Sequence, residues 1–332
     1  MMTSTLLSNL TSRLGGFFLR PHYPGDVLEI LEDRCTAVSI VRKNGRIGIR
    51  GLASQDLPRG ALDPHFSQRN FGNEQAVSEI CARLLKDAGI ARGPLTLLIP
   101  EACVKVTLHD DFETIPAEIQ YAKEMALHKL KKVLPFTTQE AAIALCPIHS
   151  APNPLLLSVV MHGAILAQYE AIATAIGYTP GCVDIPSFNL LPAIEQMSLL
   201  PDPAANALVV SVDRSYFSQT LLSGGHVVLF RTKARNILSS DGPVEPQLRL
   251  VLEEVITTLR YYEDKLSSGA PIGSVLVRDT NGHANALRDL LHSELASPVH
   301  VLDLQPLLLP GAEMPPPGTA QMLLPLAGAA LR

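Results

Sequence analysis

The sequence predicts an α/β protein of two lobes, and three observations predict it. The order strand, strand, strand, helix, strand occurs twice, over residues 27–99 and again over 207–277. The stretch Pro201-Asp-Pro-Ala-Ala falls between the two copies, where a linker between domains belongs. The chain has 332 residues, 47% of them hydrophobic and 18% charged, enough to bury two cores and too apolar for a disordered chain.

Residues 3–20 read as a short helix, with Leu6, Leu7, Leu10, Leu14, Phe17 and Phe18 near helical spacing. Such a helix packs on the body or, through Arg13 and Arg20, touches a membrane or a partner. Pro21 to Asp26 is a linker, so residues 1–23 form an extension and the first lobe starts at residue 24. Val27–Leu31 and Thr36–Arg42 read as strands joined by Glu32-Asp-Arg. Arg46–Leu52 follows Asn44-Gly45, which supplies the two left-handed residues of a tight hairpin. After a loose segment, Asn73 caps a helix to Ala88 that Gly89 stops, and Thr96–Ile99 is a buried strand.

The next block reads as a strand at Val104–Leu108 and a helix from Pro116 to Lys132, ended by Leu134-Pro-Phe136. Strands at Ala141–Ile148 and Leu155–His162, a helix from Ala164 to Ile176 and a strand at Val183–Ile185 follow. Residues 103–182 are therefore expected to form a subdomain inserted in a first lobe of residues 24–200, which a helix at Ser187–Met197 closes. The second lobe, 205–332, reads as strands at 207–213, 216–222 and 226–232, then a long helix from Pro246 to Leu266. A strand at Ser274–Val277, a helix at Ala284–Leu295, a strand at Val299–Leu302 and a final apolar helix ending at Arg332 complete it.

Composition excludes several classes. A net charge of −5 without a basic cluster disfavours nucleic acid, since neutralising phosphates takes grouped Lys and Arg. The five cysteines are scattered with no C-x-x-C pair, which reads as free thiols in a reducing compartment rather than disulfides or a zinc site. No apolar run reaches the ~18–20 residues that span a bilayer, and the first 20 residues lack the pattern of a secretory signal. The chain is expected to stay in the cytoplasm. His109-Asp110-Asp111 reads as a solvated turn, Cys146-Pro-Ile-His149 as packing, and Lys129, Lys131 and Lys132 as complements to a helix C-terminus. Ser215 and Ser218 lack the Gly-x-Ser-x-Gly elbow of a serine hydrolase.

Four segments resemble PilM-type pilus assembly proteins, the actin-like component of type IV pilus machines. The helix at Glu118 to Phe136 ends in Leu-Pro-Phe. Tyr169-Glu-Ala-Ile-Ala-Thr-Ala-Ile-Gly-Tyr-Thr-Pro-Gly-Cys-Val-Asp184 is similar to that family's helix-to-strand segment, and Ser187-Phe-Asn-Leu190 continues it. Pro325-Leu-Ala-Gly-Ala-Ala-Leu-Arg332 resembles its closing motif. In order, the resemblance covers residues 26–332. It implies a two-lobed actin-like fold, of the actin, Hsp70 and FtsA type, with duplicated βββαβ cores.

Such a fold clamps ATP with two glycine-rich hairpins and a glycine-rich adenosine loop, because backbone N–H groups must approach the phosphates closely. This chain departs from that pattern at each place. The first hairpin reads Glu29-Ile-Leu-Glu-Asp33, with Leu31 at the glycine site. The second places Ser211 where the family has Asp and Asp213 where it has Gly. The adenosine loop, Val277 to Asn281 and Gly282, has one glycine and a carboxylate. The lid that the family inserts after the third strand of the second lobe is missing or vestigial, and no alternative phosphate loop occurs. The expectation is a scaffold rather than an enzyme, without metal or cofactor, ATP and Mg being disfavoured. The resemblance implies that a groove between the first lobe and its insert takes the N-terminal cytoplasmic peptide of an inner-membrane PilN-type partner. Pro135 and Phe136 are placed in its wall. Other pilus components would be further partners, homo-oligomers are left open, and membrane association would be indirect. The alternatives are an active actin-like ATPase or kinase with an altered site, and a GspL-like module of type II secretion.

Overall fold

The computed structural model of the chain describes residues 23–116, 118–148, 155–200, 205–234, 243–266 and 270–332; the helix expected at 3–20 lies outside them. The first lobe begins with β1 (Asp26–Ile30), β2 (Arg34–Lys43) and β3 (Arg46–Asp56), then α1 (Glu74–Asp87) and β4 (Pro94–Leu98). Asn44 and Gly45 take φ of 52° and 74°, so the β2–β3 hairpin turns on the left-handed pair that Asn-Gly supplies. Asn73 caps α1 by accepting the Ala76 N–H at 3.0 Å. The helix buries Val77, Ile80, Cys81, Leu84 and Leu85, one apolar stripe at helical spacing.

The second lobe repeats the plan with β9 (Ala207–Val212), β10 (Tyr216–Ser223), β11 (His226–Ala234), α5 (Val244–Tyr261), β12 (Ser274–Asp279), α6 (Ala284–Glu294) and β13 (Val299–Val301). The two large sheets have the orders β3-β2-β1-β4-β8 and β11-β10-β9-β12-β13, where β8 is Thr179–Asp184. In each, an antiparallel meander of three strands is extended by two parallel strands. The duplication read from the sequence is thus a duplication of topology. Only residues 235–243 separate β11 from α5, the place where a lid would be inserted.

The insert is smaller than expected. Its sheet, β5-β7-β6, comprises β5 (Lys105–His109), β6 (Ala141–Ile148) and β7 (Leu155–His162), with α2 (Ile119–Leu130) packed on it. It ends at His162 and not near 182. The chain then returns through α3 (Gly163–Ala175) to β8, which pairs in parallel with β4. The strand expected at Val183–Ile185 begins at Thr179; β8 is an edge strand, where Pro180 and Gly181 are tolerated.

Two helices join the lobes. The first, α4 (Pro186–Met197), follows β8; the second, α7 (Pro317–Leu331), closes the chain. Although α7 belongs to the second lobe in sequence, it packs against α4 and the first sheet. The crossing is close, for a Cβ added at Gly328 would lie 1.6 Å from the Asn189 carbonyl oxygen. Among the described residues no helix is long and apolar enough to cross a membrane.

Gly328→Ala is therefore expected to force α4 and α7 apart and to cost on the order of 2–4 kcal/mol, against near neutrality for Gly318→Ala, whose Cβ would meet open space. Urea denaturation of the two variants checks this.

Candidate functional site

The β1–β2 turn of the first lobe and the β9–β10 turn of the second meet at a buried ionic cluster. Asp213 is fully buried, yet its carboxylate is saturated with donors. Oδ1 accepts the Arg214 N–H at 2.8 Å and the Thr280 hydroxyl at 2.9 Å, with the Arg34 Nη1 3.1 Å away. Oδ2 accepts Nη2 of Arg34 and Nη2 of Arg278, each at 3.1 Å. Arg34 sits on β2 and Asp213 beyond β9, so this bidentate pair joins the lobes. Burial alone would raise the Asp213 carboxyl; the two guanidiniums overcome it and hold the group well below the usual carboxylate range.

Each arginine is aimed by its neighbours. Arg278 donates Nη1 to the Ser211 hydroxyl at 2.9 Å and Nε to the Gln321 carbonyl at 2.8 Å. That carbonyl is free because Pro325, four residues on in α7, has no N–H to give it. Nearer the surface, Arg214 reaches Asp56 at 3.1 Å and Asp33 at 3.7 Å, both on the first lobe. A second hydrogen-bonded contact crosses the same seam: the Ser187 hydroxyl lies 2.7 Å from both Glu101 Oε1 and the Ser218 hydroxyl.

The residues singled out in the degraded hairpins gather here. Leu31 is fully buried in the first turn, and Ser211 and Asp213 serve the cluster. Asn281 and Gly282 lie in the turn before α6, where the Asp279 carboxylate accepts the N–H groups of Asn281 at 3.1 Å and His283 at 2.6 Å. The Asp279 carboxylate thus holds the turn that leads into that helix. Arg34, Arg278, Glu101, Ser187 and Ser218 were missed. A signal existed: a carboxylate in a turn between apolar strands demands a cation from elsewhere in the chain.

Glu29 and Glu101 are fully buried. Neither oxygen of Glu29 accepts a hydrogen bond among the described residues, and Arg34 Nε stands 3.8 Å away, its fork turned to Asp213. Burial pushes Glu29 up to about 7, against the pull of Arg34. Burial likewise pushes Glu101 up to about 7, against the hydrogen bonds from Ser187.

A second feature is an apolar groove of about 650 Å³ between the first lobe and the insert. Its two long walls are sheet edges: β6 closes the insert's sheet and β8 the first lobe's. Ala142, Ala144 and Cys146 line it on one side, and Pro180, Cys182 and Asp184 on the other. Ile99, Val104, Leu157 and Met161 add apolar lining, and Glu170 of α3 contributes a charge. At one end Arg332 donates to the Tyr23 hydroxyl at 3.0 Å and the Phe188 carbonyl at 2.8 Å, and stands 3.5 Å from Asp184. The Phe188 carbonyl is available because Pro192 interrupts α4 four residues later. From the second lobe, the turn at Gly225, His226 and Val227 forms part of the wall.

Pro135 and Phe136 are not in this wall. Phe136 packs against Phe66 at 5.0 Å and His162 at 4.6 Å, beneath the insert's sheet, and Pro135 is exposed beside it. Phe136, beyond the end of α2, packs on the insert's own small core, and the groove is lined by strand edges instead. His109 hydrogen-bonds Ser158 at 2.9 Å, Asp111 pairs with Lys129, and no group of metal-ligating side chains occurs among the described residues.

The two duplicated sheets, the insert and the seam between the lobes define an actin-like two-lobed protein. Compared by sequence, the chain matches no family model and no curated protein. Compared by structure, it is similar to a chain of the PilM–PilN type IV pilus biogenesis complex, with a TM-score of 0.75 and 15% identity over 94% of this chain and 97% of that one. It also aligns with the cytoplasmic domain of EpsL, an inner-membrane component of the type II secretion system of Vibrio cholerae, at a TM-score of 0.48 and 10% identity, over 92% of this chain and 93% of that domain. The ethanolamine utilization protein EutJ from Carboxydothermus hydrogenoformans aligns at 0.47 and 10%, covering 94% and 91%. The PilM–PilN match is a match of fold, and it agrees with the resemblance read from the sequence.

The raised pKa values of Glu29 and Glu101 make stability depend on pH. A carboxyl whose folded pKa lies above its unfolded one stabilises the fold fully below the unfolded value, and that contribution is lost as pH rises through the folded one. With ordinary values of 4.5 and folded values of about 7, the loss runs between those limits, on the order of 3 kcal/mol for each group. Asp213 acts oppositely and only in acid. The melting temperature is expected to fall between pH 5 and pH 8, and Glu101→Gln to flatten the fall, as differential scanning fluorimetry across pH would register.

Proposed function

We propose that the protein is a PilM-like scaffold of type IV pilus assembly. It binds the N-terminal cytoplasmic peptide of an inner-membrane PilN-type partner in the groove between β6 and β8, and it does so without ATP turnover. The observation that carries this reading is the pair of sheet edges, β6 and β8, that line one apolar groove. An open edge presents unpaired N–H and C=O groups, and an extended peptide satisfies them while its alternate side chains enter the groove. The similar structure is that of a PilM–PilN complex, which supports the same occupant. The protein would sit in the cytoplasm, held at the inner membrane through that partner.

The interlobe seam supports the second half of the reading. A Mg-nucleotide in an actin-like cleft needs hairpin N–H groups that are free and a cleft that tolerates its charge. Here Leu31 fills the first turn, Asp213 draws the second onto Arg34, and Asp279 accepts the N–H groups of the turn before α6. The residues present do not fit the nucleotide.

Ala144 is exposed on β6 and lines the groove. Ala144→Arg is expected to leave the melting curve unchanged and to weaken a synthetic N-terminal peptide of a PilN-type protein about tenfold or more. Fluorescence anisotropy with the labelled peptide measures this; equal affinity for the variant and the wild type would place the peptide elsewhere.

A further inference from the structure

The groove and the seam share their building parts. The β10–β11 hairpin starts at Tyr216, next to the Asp213 cluster, and turns at Gly224 and Gly225, the second of which lines the groove. Eight residues of β10 separate the two ends, roughly 25 Å of strand. Along its length the hairpin is tied to α4 twice: Ser218 meets Ser187 at 2.7 Å, and Phe230 packs on Phe188 with ring centroids 5.2 Å apart. Beyond Ser187, the same helix gives Phe188 and Leu191 to the groove.

We propose that the Arg34–Asp213–Arg278 cluster is a clasp that sets the width of the groove, with the β10–β11 hairpin as the rigid arm between them. The identity of the ligand in this inference rests on the peptide reading of the groove. The clasp fixes the second lobe against β2, and the far end of the hairpin then stands at a fixed distance from β8 and α4. Opening the clasp lets the second lobe turn about the α4 seam and carries Gly225–Val227 away from the wall. Arg34 and Asp213 are positioning residues for a site that neither of them lines. Ligand and clasp are linked reciprocally: a segment bridging β8 and the Gly225 turn stabilises the closed clasp as much as the clasp stabilises the bound segment.

Native thiols report the outcome without any partner. Cys182 is half-buried in the groove, whereas Cys35, Cys81 and Cys103 are buried in the core and reveal unfolding. Alkylation of the full chain with N-ethylmaleimide, followed by peptide mass spectrometry, is compared for wild type, Asp213→Asn and the milder Arg34→Lys. Cys182 is expected to react about fivefold faster in Asp213→Asn and measurably faster in Arg34→Lys, with the three core thiols still protected. In the same variants the synthetic PilN-type peptide is expected to bind about fivefold more weakly. An unchanged Cys182 rate in a variant whose core thiols stay protected overturns the proposal. Should Asp213→Asn expose the three core thiols, Arg34→Lys decides. Faster Cys182 alkylation in a protein whose wild type binds no peptide upholds the clasp and refutes the peptide reading.

Discussion

A carboxylate buried between two lobes is the constraint on which the remainder of this structure depends. Taking the Asp213 charge out of water costs several kcal/mol unless it is paired and hydrogen-bonded on every side. The chain meets that demand with Arg34 from the first lobe and Arg278 from the second, and both guanidiniums are nearly inaccessible, at 2% and 0% exposure. A cluster of this kind adds little net stability over an apolar seam, but losing one partner leaves a buried charge uncompensated, at about 3–5 kcal/mol. It specifies one lobe arrangement rather than merely favouring compactness.

The arginines must in turn be held, and two helix-breaking prolines help to hold them. Pro325 frees the Gln321 carbonyl for Arg278, and Pro192 frees the Phe188 carbonyl for Arg332. In both cases a local defect in a buried helix becomes an acceptor for a charged side chain. The first orients the clasp and the second fixes one end of the groove. Because α4 and α7 touch at Gly328, the two arginine sites lie on helices that cannot shift independently. The insert stands outside this arrangement, with its own small cores around Ala126 and Leu130, and its free edge faces β8.

Much of the fold was legible because it is written in local chemistry. Asn44-Gly45, Asn73 and Gly89 gave turn, cap and stop, and β-branched runs gave the strands of both sheets. The repeated order of elements gave the duplicated topology. What failed was non-local. Pro180 and Gly181 are tolerable in β8 only because it lies at a sheet edge, which is a property of the whole sheet. Phe136 packs on Phe66, far away in sequence, and no local pattern points to that contact. The hairpin positions at Leu31, Ser211 and Asp213 were identified from the sequence as unlike phosphate loops. The arginines that explain them are not local: Arg34 lies 179 residues from Asp213 and Arg278 lies 65 away.

Asp213, Arg34 and Arg278 form a closed ionic cluster in the seam between the lobes. Isothermal titration of the full chain with Mg-ATP asks whether that seam still admits a nucleotide. No saturable heat at millimolar nucleotide is expected, because the seam already has its anion in Asp213 and its cations in Arg34 and Arg278. Saturable one-to-one binding of Mg-ATP, lost on mutation of the β9–β10 turn, would contradict it and return the protein to the active members of its fold.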